Sequence, residues 1–108
     1  MAYGFDIEAM RFAVRRGRIE WQRHALERMA GRGILRDEVK EVLIRGERIE
    51  DYPEDYPIPS ALFLGGPEQR LLHVVAAFNQ KLGMVYIITA YEPSLDHFEP
   101  DLKTRRKK

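Results

Sequence analysis

Two stretches near the C-terminal end, "RLLHVVAAFN" (70–79) and "MVYIITAY" (84–91), are apolar at odd and even positions alike, and only "QKLG" separates them. Successive side chains of a strand point to opposite faces. Strands with this pattern are therefore covered on both sides and belong in the middle of a sheet. The short connection, ending in glycine, joins them as an antiparallel hairpin. A hairpin that is apolar on both faces is not stable alone in water. It needs flanking strands and a layer of helices.

The rest of the sequence supplies both. Ahead of Gly46 the apolar period is helical. In "DIEAMRFAVRR" Ile7, Met10 and Val14 share a face, Asp6 caps the start and Gly17 ends it. A second helix is predicted from about Gln22 to Ala30, stopping at "GRG". A third runs from Arg36 to Arg45, with Val39, Val42 and Leu43 inward. Between the first two, "RIEW" alternates apolar and polar and reads as a short extended piece. After Gly46, "ERIEDY" and "SALFLG" read as strands joined by the proline-rich "PEDYPIPS". The expected fold is α+β: N-terminal helices packed on a three- to four-stranded antiparallel sheet. Trp21, Met29, Val39, Leu43, Val75 and Ile87 are its expected core. Residues 1–101 form the expected single domain, and 102–108 a basic, flexible tail.

The absence of cysteine removes disulfides, thiol catalysis and cysteine-based zinc sites. No apolar run approaches the roughly 20 residues that span a bilayer. "MAYGFDIEAM" has no basic start leading into an apolar core. The expected setting is the cytoplasm, with no membrane partner.

Net charge is +1, but it is unevenly spread. Arg11 to Arg48 carries eleven Lys or Arg against six acids, Ile49 to Asp101 carries two against nine, and the last seven residues add five cations. One reading is a surface facing a polyanion such as RNA, with Arg32, Arg105 and Arg106 among the contacts. The other is that the basic helices simply pack near the acidic strands, or that the charges are solvated.

No phosphate loop, dinucleotide fingerprint, metalloprotease motif or nucleophile elbow occurs, and no cofactor is implied. His24, His73 and His97 share no ligand spacing, so no metal is expected. His73, between Leu72 and Val74, reads as a strand histidine with a hydrogen-bond partner. His24 and Arg28 are different, because four-residue spacing puts them on one helix face. A histidine can move a proton, and an arginine can hold a phosphate with two donors. That suits metal-independent RNA cleavage, with Tyr91 at the end of the last strand as a further donor. In the competing view the pair is structural, with Arg28 bound to an acid such as Glu50 or Asp51. A rival function is a non-catalytic protein-interaction module that uses "DYPEDYPIP", with Tyr52 and Tyr56 flanked by prolines.

Trp21 with "HALERM", then "RGI", "IEDYPEDYP", "LHVV" and "ITAYEP" resemble a bacterial family, the domain of unknown function forty-two fifty-eight. The resemblance covers roughly residues 18–100. Its typical positions fall on His24, Arg28, Gly33, Ile34, Gly46, His73, Thr89, Tyr91 and Pro93. Two departures are "QR" where a capping serine is usual, and Phe98 where tryptophan is common. The resemblance implies a layout like the RelE, ParE and BrnT ribonuclease-toxin fold, and with it RNA and a cognate antitoxin as partners. The sequence sets no oligomeric state.

Overall fold

The computed structural model describes residues 4–107. Three helices, α1 (Ile7–Arg15), α2 (Arg23–Arg32) and α3 (Arg36–Arg45), lie on a sheet of β1 (Ile19–Trp21), β2 (Glu47–Tyr52), β3 (Ser60–Gly65), β4 (Leu72–Asn79) and β5 (Met84–Tyr91). The α+β class is as expected, and β4 and β5 pair antiparallel as inner strands. The sheet itself differs. It has five strands in the order β1-β5-β4-β3-β2, and it is mixed. β1, the expected extended piece, lies parallel to β5, with Ile19 opposite Val85 and Trp21 opposite Ile87. Three alternating residues are too few to announce a partner. The pairing is anchored at the hairpin turn, where Arg18 donates to the carbonyls of Leu82 (2.8 Å) and Gly83 (3.0 Å).

Local chemistry sets the helix ends. Asp6 accepts from the Glu8 amide at 2.9 Å. Glu38 reaches back to the Leu35 amide at 2.9 Å, which starts α3. Gly33, with φ 67°, closes α2 in the left-handed conformation, and the Ile34 amide returns to the Met29 carbonyl at 2.9 Å.

One sheet face carries the core. Phe63, Val74, Ala76, Phe78, Val85 and Ile87 meet Met10, Val14, Met29, Val39 and Leu43 there. Trp21 packs against the edge of this core, partly buried, its ring under the Arg36 guanidinium at 5.5 Å. One expected core residue is placed differently: Val75 is partly buried on the other face, because its neighbours Val74 and Ala76 take the helix-facing positions. β5 contains a bulge. Thr89 pairs with Val75 and Ile87 with Ala76, so Ile88 is the extra residue. Beyond it Ala90, rather than Thr89 or Tyr91, turns toward the helices.

Candidate functional site

β1 runs directly into α2, and the start of α2 has no side-chain cap from Gln22. Ala25 and Met29 enter the core. His24, Arg28 and Arg32 therefore follow one another at four-residue intervals along the outer side of the helix. His24 is 90% exposed, and its nearest charged partner is Glu27, 3.8 Å from Nδ1. Arg28 is exposed and has no hydrogen-bond or ion-pair partner among the described residues. The acids offered for it are taken: Glu50 by Arg105, and Asp51 by Arg48 at 3.5 Å. Arg32 Nη1 donates to the Ala90 carbonyl at 2.8 Å, on the part of β5 that β1 leaves uncovered. His24 and Arg28 are thus brought together as their spacing predicts. The Tyr91 hydroxyl is not with them: the bulge at Ile88 turns it to the far face of the sheet, onto His73.

That far face holds a second cluster. The His73 ring is fully buried there under Phe98, with centroids 4.6 Å apart. Its Nε2–H donates to the Leu102 carbonyl at 2.8 Å, which leaves Nδ1 to accept from Tyr91, 3.3 Å away. Arg105 grips Glu50 with two donors, at 2.8 and 3.1 Å, and lies 4.9 Å over the Phe98 ring. Tyr52 donates to the same carboxylate. Burial alone would raise the pKa of Glu50, but the Arg105 and Tyr52 bonds outweigh it and hold the carboxyl low. Burial, and then the bond to Glu50, push Tyr52 up to about 12. Burial raises Tyr91 as well. It lowers His73, against the pull of the Leu102 carbonyl and Glu50. These shifts favour neutral tyrosines and a neutral histidine beside a fixed ion pair.

The basic end of the chain belongs to this arrangement. Lys103 pairs with Glu47 at 2.8 Å, and Arg106 binds Glu99 at 3.2 Å and the Leu95 carbonyl. Residues 102–106, expected as part of a flexible tail, are bonded back across the boundary expected at residue 101. Arg105 and Arg106, expected as nucleic-acid contacts, are engaged within the protein. No sequence pattern links Glu50, Tyr52, Phe98 and Leu102 to one another; only the fold joins them to His73. Among the described residues no group of three or more His, Asp or Glu could hold a metal ion.

The shifts give a pH signature. A histidine whose folded pKa is lowered contributes stability above its unfolded value of 6.5, and the contribution is lost as pH falls through the folded value. Glu50 acts in the same direction below 4.5. Melting temperature should therefore fall as pH is lowered from about 7 to 5. His73→Gln should flatten that stretch of the profile. Parallel profiles for the two proteins would show that His73 does not titrate with folding.

A family model described as "Domain of unknown function (DUF4258)" matches residues 21–92. The chain belongs to this family. The DUF4258 stretch runs from the end of β1 through β5 and contains His24, Arg28, His73 and Tyr91. The segment that covers His73 lies beyond it. No curated protein and no solved structure matches this DUF4258 chain.

Proposed function

We propose that this DUF4258 domain binds RNA through the outer side of α2. The supporting observation is the row His24, Arg28 and Arg32, in which Arg28 presents an exposed guanidinium with no ion-pair partner among the described residues. A guanidinium free of internal partners offers its planar fork to a phosphate. The RelE, ParE and BrnT toxin layout that the family resemblance implies would agree with this reading, although a fold alone does not fix a function. In a toxin setting a cognate antitoxin would be the protein partner. Cleavage on α2 would rest on His24 for proton transfer and Arg28 for the phosphate, without Tyr91.

Binding of a labelled single-stranded RNA, followed by anisotropy at two salt concentrations, tests the proposal. Arg28→Ala should weaken binding and reduce the salt slope by about 0.7, the share of one phosphate contact on a single strand. An unchanged slope, or no binding by the wild type, overturns it. His24→Ala decides the chemistry. Loss of a chelator-resistant cleavage by about 10²-fold or more assigns His24 a proton-transfer role. Equal rates leave α2 as a binding surface only.

A further inference from the structure

The sheet face opposite the helices is covered unevenly. Phe98 and Leu102 close its His73 end. At the other end a concavity of about 560 Å³ stays open, with Tyr56, Pro57 and Ile58 on one side and Tyr86 and Ile88 on the other. Tyr56 is 95% exposed and the bulged Ile88 45% exposed, although both stand beside apolar neighbours. Exposed apolar side chains gathered in a groove, rather than scattered singly, mark binding surfaces.

Charge narrows the choice of occupant. Among the described residues Asp55 is the one charged residue lining the groove, and Glu54 beside it is exposed. Glu20 stands across from Tyr86 in the β1–β5 register. It points to this face because Ile19 and Trp21 point to the core. No Lys or Arg among the described residues lines the groove. Its floor is aromatic and aliphatic, and its edges are acidic.

We propose that this groove docks a peptide segment of a partner protein in which aliphatic or aromatic side chains alternate with Arg or Lys. The apolar side chains would fill the floor between Tyr56 and Ile88. The cations would meet Asp55, Glu54 and Glu20, and could lie over the tyrosine rings. The surface is distinct from the α2 row, so neither proposal depends on the other.

Selection of a random-peptide phage library on the immobilised full chain tests this without presupposing a sequence. Enriched peptides should combine Arg or Lys with Leu, Ile, Phe, Tyr or Trp. A synthetic version of the strongest should lose at least tenfold in affinity on Tyr56→Ala and on Ile88→Lys, because exposed anchors at the centre of a contact carry most of its energy. Both positions are exposed, so both variants should keep the wild-type melting temperature. Arg28→Ala should leave peptide affinity unchanged. No enrichment, acidic peptides, or affinity indifferent to both groove variants overturns the proposal. So does concentration-dependent self-association abolished by Ile88→Lys, which would place a second copy in the groove.

Discussion

Leu43→Ala is expected to lower the unfolding free energy by about 2–5 kcal/mol, the range for deleting a fully enclosed leucine. The side chain has no solvent exposure and belongs to the cluster where α3 meets the sheet. Its neighbours Val39 and Val42 are equally enclosed and β-branched, so stiff side chains surround the vacated space and collapse little. Urea unfolding would show the loss as a lower midpoint at unchanged slope. A midpoint equal to that of the wild type would mean that α3 turns another face to the sheet.

Gly46→Ala should also be costly, for a different reason. Gly46 has φ −78°, which any residue adopts. The constraint is space. A Cβ there would sit 2.4 Å from the Val42 carbonyl oxygen and 2.6 Å from that of Leu64. Both are backbone atoms with no rotamer to change. The corner is tight on its other side too, since a Cβ on Gly65 would lie 3.1 Å from the Gly46 Cα. A loss of at least about 1–3 kcal/mol is expected, the scale of overpacking in a filled interior. Gly31→Ala is the control. It lies within α2, and a Cβ there meets nothing within 4 Å, so that change should gain roughly 0.8–1 kcal/mol of helix propensity. Equal melting curves for Gly46→Ala and wild type would show that α3 and β3 are not held this close.

The sequence reads Gly46 as a helix stop. The structure adds that it is the point where α3 and β3 touch backbone to backbone, which no local pattern reveals. The same division runs through the molecule. β3 and β5 begin and end where their apolar runs do, because strand residues buried on one or both faces carry their own period, and β2 spans the expected "ERIEDY". β4 starts at Leu72, two residues late, since Glu68–Arg70 forms a 3₁₀ turn. The His24–Arg28 neighbourhood was legible because helix geometry is local. The direction of Tyr91 was not. Its face depends on one extra residue at Ile88, and a slip of one along a strand reverses every later side chain. The partners of Arg105 were equally hidden, since a Glu50–Arg105 pair spans half the chain. The charge asymmetry raised the alternative that basic helices pack near acidic strands; the pairs of Lys103 with Glu47 and Arg105 with Glu50 instead join the basic C-terminal segment to β2.

The parallel contact of β1 with β5 has a consequence for how the chain is made. Ile19–Trp21 leave the ribosome early, but the strand they lie against does not exist until Ile87 has been added. The Glu50 carboxylate then waits for Arg105, 55 residues further on. A nascent chain can form its helices, since their contacts are local, but the sheet is sealed from both sides only once Arg105 has been added. Closing so long a loop is slow. Until then the apolar faces of β3 and β4 stand open, which makes this a domain whose sheet closes as a whole and not piece by piece.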